Sequence, residues 1–253
     1  MSIRVSMNTA PAAGSPGTCR SPAFSRAQLA FSDAIAAAKK STWLSAQPVE
    51  LQQDLLCSAA IQKFTKGQQI IEFDESGSAL FFLLKGTVEV SVPKDTLELH
   101  PIHLLPSLHW FGEHSVVRGK RSYAEYSARN AVSVIAIPRT ALNRLESTSA
   151  YYRAAAMELL LQVSRNYLEL AGDFIGHNLE DRVRARLYTL SAFGATSPAA
   201  KRVVLPICQE ELAVLCCVSR GTVCKILRQL EQAGIIEVGY GKIVVGRRGA
   251  LLA

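Results

Sequence analysis

Between positions 219 and 228 the chain concentrates hydrogen-bond donors: Ser219, Arg220, Thr222, Lys225 and Arg228, with Gly221 among them. Side chains of these types can pair with phosphate oxygens or with acceptors on base edges. The spacing says what backbone would deliver them. Val223, Ile226, Leu227 and Leu230 recur at the three- and four-residue steps of a buried helical stripe. Arg220, Gly221, Thr222, Lys225 and Arg228 then fall on the opposite face. Ser219 stands where an N-cap hydroxyl would accept from the first turn.

The neighbouring residues supply the frame. A short helix over 209–215 carries Leu212 and Leu215 on its apolar side. Ile236 and Val238 can pair with Ile243 and Val245 across Gly239-Tyr240-Gly241 as a hairpin. Helix, capped second helix and hairpin, in that order, predict a winged helix-turn-helix. Its second helix is expected in the major groove of double-stranded DNA. The charge agrees. The 253-residue chain carries a net +7, and from Leu179 onward eleven Lys and Arg face six Asp and Glu, leaving +5 there. A polyanionic partner should be met in that last third.

Other reactive groups are less organised. Cys19, Cys57, Cys208, Cys216, Cys217 and Cys224 form neither a CxxC pair nor a secreted disulfide framework. The last four are expected mostly as small core residues. Cys224 sits beside the DNA-facing side of its helix, so its oxidation could disturb binding. His100, His103, His109 and His114 fall in one stretch and keep a haem or metal reading open. Nothing resembles an enzyme site: there is no GxSxG, GxxxxGK[ST] or HExxH. No apolar run approaches the roughly 18–20 residues a membrane span needs. The first residues lack the apolar stretch of a secretory signal, so the cytoplasm is the expected location.

Four textures divide the chain. Residues 1–25, rich in Ala, Pro, Ser and Gly, are expected to be disordered. Residues 26–137 open with helical patterns and continue as short β-rich runs such as QQIIEF, ALFFLLKG, TVEVSV and VSVIAI, broken by Gly and Pro. That texture predicts a barrel or sandwich. Residues 138–178 are helical again. Tyr152, Ala156, Leu159, Val163, Tyr167, Leu170 and Phe174 recur in mostly alternating fours and threes, a seam expected to pair with a second copy. Gly176-His177-Asn178 reads as a hinge before the winged domain at 179–253.

The stretch QEELAVLCCVSRGTVCKILRQLEQAGII resembles the helix-turn-helix of the Crp/Fnr superfamily of bacterial transcription regulators. The resemblance implies that Arg220 reads guanine, that Thr222 meets a phosphate and that Lys225 contacts base or phosphate. Gly221 replaces a frequent Glu, which implies a different half-site. Cys217 occupies a turn position usually held by Gly.

Upstream, KFTKGQQIIEFDESGSALFFLLKGTVEVSV resembles the opening of a cyclic-nucleotide-binding β-roll, with Gly67 and Gly86 at its turns. FGEHSVVRGKRS resembles its phosphate-binding cassette. That likeness implies that Gly112 admits backbone, Glu113 accepts a ribose 2′-OH, and Arg121 with Ser122 holds a cyclic phosphate. A gap-free alignment places Tyr167 and Leu168 at the adenine-binding positions, where Tyr167 keeps a hydroxyl and Leu168 offers no hydrogen bond.

The predicted fold class is therefore α+β: an N-terminal double-stranded β-helix of jelly-roll, cyclic-nucleotide-binding-like form, a long dimerisation helix and a C-terminal winged helix-turn-helix. The expected partners are double-stranded DNA, a second copy of the chain and RNA polymerase, with no membrane. A cyclic nucleotide or another small effector is a possible ligand. Two alternatives stay open: a cyclic-AMP-dependent regulator, and a cyclic-nucleotide-binding signalling module acting on a protein partner.

Overall fold

The structure, a computed structural model, describes residues 26–93, 98–117, 120–172, 178–194 and 202–252. The expectations for 1–25, Cys19, Phe174, Gly176 and His177 lie outside the described residues.

Three helices lead: α1 (Arg26–Lys39), α2 (Thr42–Ser45) and α3 (Val49–Cys57). Eight strands follow: β1 (Ala60–Phe64), β2 (Gln69–Ile71), β3 (Ala79–Lys85), β4 (Val88–Pro93), β5 (Leu99–Leu105), β6 (Trp110–Phe111), β7 (Glu125–Ala128) and β8 (Val132–Pro138). They form two four-stranded antiparallel sheets, ordered β1-β8-β3-β6 and β2-β7-β4-β5.

The apolar runs Ala79–Leu84 in β3 and Val134–Ile137 in β8 have a direct cause: both faces of their sheet are covered. Phe81, Leu83, Val132, Val134 and Ala136 point between the sheets with Val88, Val90 and Phe111. Their neighbours Leu80, Phe82, Ile135 and Ile137 point outward onto a helical layer containing Leu44, Leu51, Leu55 and Leu142. Side chains alternate along a strand, so a doubly covered strand must be apolar at every position.

Turns between strands need positive φ at a few places. At Gly86 (φ 98°) a Cβ would stand 2.6 Å from the Ala131 carbonyl oxygen, so only glycine fits. Strand β5 escaped the sequence pattern because it holds Pro101 and two histidines. It lies at a sheet edge, and the register slips there: Val90 faces His103 but Ser91 faces Pro101, leaving Ile102 as the extra residue of a bulge. An edge bulge is where a strand tolerates proline.

The helical region that follows holds two helices, α4 (Arg139–Thr148) and α5 (Tyr152–Gly172), the second starting where the apolar seam begins. Ser149 between them is extended (φ −102°, ψ 124°), and its hydroxyl accepts from the Tyr151 N–H at 3.3 Å. Helix α5 has 21 residues and so spans about 31 Å.

The last part contains α6 (Leu179–Gly194), β9 (Val203–Leu205), α7 (Gln209–Cys216), α8 (Arg220–Gln232), β10 (Ile236–Gly239) and β11 (Lys242–Val245). These share one core of Val183, Leu187, Leu212, Leu215, Val223, Leu227 and Ile243. Leu104 of β5 packs into the same core, and Arg129 binds both Glu89 of β4 and Glu211 of α7. The winged part is thus docked on the β4–β5 edge of the roll.

Candidate functional site

The recognition helix follows from local rules alone. Ser219 Oγ accepts from the Thr222 N–H at 3.1 Å, closing the cap at the start of α8. Val223, Ile226, Leu227 and Leu230 are all buried beneath it. Arg220, Gly221, Lys225 and Arg228 are exposed, and Thr222 is half-exposed, with its hydroxyl 2.9 Å from that of Ser219. Arg220 Nε rests 2.8 Å from Glu210 Oε1 in a pair open to water on both sides. An exposed pair of this kind holds weakly, so Arg220 can exchange the carboxylate for a base edge or phosphate at little cost.

The turn before α8 is strained as the sequence implied. Cys217 is left-handed (φ 52°, ψ 44°). The other thiols correct an expectation. Of the four cysteines expected in the core, Cys216 alone is buried; Cys208 and Cys224 are half-buried, and Cys217 is exposed. Cys224 Sγ donates to Gln209 Oε1 at 2.8 Å, so it faces α7 rather than the core. Counting charges also overstates the DNA-facing set. Arg186 is fully buried, donating to the Leu215 carbonyl at 3.0 Å, and Arg184 donates to the Ala250 carbonyl at 2.8 Å. Both tie elements together.

The wing has the expected register, Ile236 opposite Val245 and Val238 opposite Ile243, with Tyr240 fully exposed at its tip. Glu231 Oε1 accepts from the Val238 N–H at 2.8 Å, fastening α8 to the wing.

The second site is a cavity of about 510 Å³ between the roll and α5. Glu113 and Ser122 line it, as do Tyr126 and Tyr167, whose hydroxyls lie 3.5 Å apart. Burial raises the Glu113 carboxyl and pushes the Tyr167 hydroxyl up to about 12, with the nearby Glu113 charge adding to the latter. His114 also lines the wall. Burial lowers its imidazole, so it stays neutral near pH 7.

Two cassette residues stand elsewhere. Arg121 does not enter the cavity: its Nε lies 2.8 Å from Asp74 Oδ1, and both side chains are exposed. The Ser76–Arg121 bridge turns the chain so that Ser122, one residue on, faces inward. Ser122 Oγ donates to the Ala124 carbonyl at 2.6 Å. Gly112 is left-handed (φ 79°), and a Cβ there would stand 3.0 Å from the Ala79 carbonyl oxygen. It lets the chain turn into the short 3-10 segment Glu113–Val116 and is not among the residues lining this cavity. Tyr126 and Lys120 were not among the expected contacts. Tyr126 was legible as the buried member of the alternation along β7; Lys120 carried no local signal.

The residues expected along the dimer seam lie mostly against the roll of their own protomer. Tyr152, Ala156 and Leu159 are buried in the roll's own helical layer, Val163 packs against it, and Leu170 is buried. Tyr167 faces the cavity. Both faces of α5 are apolar, and the roll claims the stripe with the larger side chains. The open stripe is Ala154, Met157, Leu161, Ser164, Leu168 and Ala171, also alternating in threes and fours. Leu161 is 63% exposed and Leu168 73%, against 1% for Leu159.

Among the described residues no three His, Cys, Asp or Glu groups converge to hold a metal. No described helix is long and apolar enough to cross a membrane.

A capped basic helix in a winged frame, joined by a long helix to a β-roll, defines a DNA-binding type of regulator. Comparison with known proteins agrees. The family described as Crp-like helix-turn-helix domain matches residues 181–253, and the cyclic nucleotide-binding domain matches residues 61–149. The global nitrogen regulator of Synechocystis sp. is 24% identical over 200 residues, which cover 78% of this chain and 88% of that one. The solved structure of FixK2 from Bradyrhizobium japonicum superposes with a TM-score of 0.61 at 19% identity, covering 76% of this chain and 95% of that one. A putative cyclic nucleotide binding protein from Ruegeria pomeroyi gives 0.64 at 15% identity, covering 88% and 99%. These structural likenesses establish the shared fold. The chain belongs to the Crp/Fnr superfamily of transcription regulators.

Proposed function

We propose that this regulator works in the cytoplasm as a homodimer on a palindromic operator, reading one half-site with each α8 and acting on RNA polymerase at a promoter. The observation that carries the reading is the capped N-terminal turn of α8. It holds Arg220, Gly221, Thr222 and Lys225 clear of the core while four apolar residues anchor the opposite side. We assign dimerisation to Met157, Leu161 and Leu168, with a second copy of α5 as the occupant. Their alternating spacing is that of a two-stranded seam, and their exposure leaves them unburied within one protomer. The cavity behind α5 takes the effector, so occupancy and dimer geometry share one helix.

The cyclic-AMP-dependent alternative requires Arg121 to leave the exposed Asp74 carboxylate and turn into the cavity, which it does not line. The test is footprinting of the full chain on promoter fragments. Paired protections about one helical turn apart, on a protein that sediments as a dimer, are expected. A chain that retains no duplex at moderate salt overturns the proposal.

A further inference from the structure

The effector's chemistry is written in the cavity wall, given the reading that this cavity holds the effector. Most of the lining is apolar, with Val92, Ile102 and Val117 from the roll and Leu160 and Val163 from α5. Its volume is that of a pocket for a small organic molecule. Polar groups converge in one corner. Glu113 lies close enough to Tyr126 and Tyr167 for its charge to act on both hydroxyls. Those hydroxyls are 3.5 Å apart, a weak contact that each can exchange for a ligand oxygen. Ser122 is already occupied by the Ala124 carbonyl.

A phosphate would meet the wrong surroundings. Lys120 is the one cation lining the cavity among the described residues, and it is exposed, while the carboxylate of Glu113 lies inside. An anion buried without a guanidinium or several N–H donors is strongly disfavoured.

We infer that the cavity binds an uncharged, largely apolar molecule carrying a hydroxyl, which donates to Glu113 and accepts from the Tyr126–Tyr167 pair. The apolar body of the ligand lies against Leu160 and Val163, so it touches the helix whose other stripe is Met157, Leu161 and Leu168. Such a ligand contacts the roll and the dimer helix together, which gives it differential affinity for the arrangements of that helix.

The test titrates three probes into the full chain without DNA: 1-naphthol, 1-naphthoate and cyclic AMP. One 1-naphthol per protomer should bind, at least tenfold tighter than the anionic naphthoate. Cyclic AMP at millimolar concentration should not displace it. Glu113→Gln should shrink the preference for the neutral probe at least threefold. Leu160→Trp fills the cavity and should abolish binding. Ile102→Trp does the same from the half-buried bulge of the edge strand. No saturable naphthol binding, displacement by cyclic AMP, or unchanged binding in an Ile102→Trp protein that melts at the parental temperature each overturns the inference. Because DNA is absent, these failures leave the regulator reading standing. Loss of duplex retention with naphthol binding intact would remove the regulator reading instead.

Discussion

Helix α8 and the 112–122 cassette are both short, charged and exposed at one end, yet the sequence specifies their side chains very differently. In α8 every direction is set within the segment: the cap by Ser219, the buried side by a stripe at helical spacing. In the cassette, direction depends on distant residues. Arg121 is drawn to Asp74, 47 positions away, and the Ser76–Arg121 bridge decides which of Arg121 and Ser122 faces inward. Motif matching transfers well where local physics fixes geometry and poorly where tertiary contacts do. Helix α5 adds an intermediate case. Its period is local, but which of two apolar stripes meets the roll is decided by packing.

The largest expected effect tests α5. Leu159→Ala removes a buried side chain from the roll's helical layer and should lower stability by about 2–5 kcal/mol. Leu161→Glu should leave the roll's melting temperature near parental while driving dimer to monomer. Thermal melts and sedimentation velocity separate the two. A Leu159 variant that melts normally but sediments as monomer would return the seam to the stripe first expected.

The next effect contrasts the two arginines. Arg220→Ala should cost about 1–3 kcal/mol on the cognate operator and far less on random duplex. Arg121→Ala should leave operator affinity unchanged with or without cyclic AMP, because its partner is an exposed carboxylate outside the cavity. Saturating cyclic AMP should itself tighten operator binding less than tenfold, about 1.4 kcal/mol. Operator titrations decide both. Equal losses on cognate and random DNA would reduce Arg220 to a phosphate contact, and a tenfold tightening abolished by Arg121→Ala would restore a cyclic-AMP receptor.

These contrasts mark how far the sequence reaches. The winged domain was readable almost residue by residue: cap, stripe, wing register and even the left-handed Cys217. The roll was readable as a texture, through the doubly apolar runs of β3 and β8, but β5 was hidden by its bulge and Pro101. The cavity was readable only at Glu113, Ser122 and Tyr167. Lys120, Leu160 and Val117 reach it through sheet and helix packing that no local spacing encodes.

Acid should separate the two regions further. His103 is buried, and burial, aided by the charge of Arg186 and by His109, lowers its pKa to about 3. The folded state therefore keeps it neutral, while the unfolded chain protonates near 6.5. Stability is fully present above pH 6.5 and falls as pH drops from there toward 3, by about 1.4 kcal/mol per unit from this group. Helix α8 has no histidine, so the recognition surface itself should not titrate in that window. Denaturant melts at pH 7.5 and 5.5 check this, and His103→Gln should remove about 1.4 kcal/mol of the stability difference between those two pH values, about half a proton of mean slope. An unchanged slope would mean that the imidazole already has access to water.

The smallest effect falls at the turn inside the motif. Cys217 is held at φ 52° and ψ 44°, where a Cβ crowds its own backbone. Its side chain is exposed, so a substitution there forfeits no packing. Glycine removes the local strain of about 1–2 kcal/mol. It also gives the unfolded chain more freedom, which takes back part of the gain. The net expectation for Cys217→Gly is a stabilisation of about 0.5–1 kcal/mol, read as a higher denaturant midpoint at unchanged slope. Operator affinity should stay constant, because the Ser219 cap that orients Arg220 does not involve residue 217. If glycine weakens operator binding without raising the midpoint, the thiol at this turn serves the interface and the strain is retained for function.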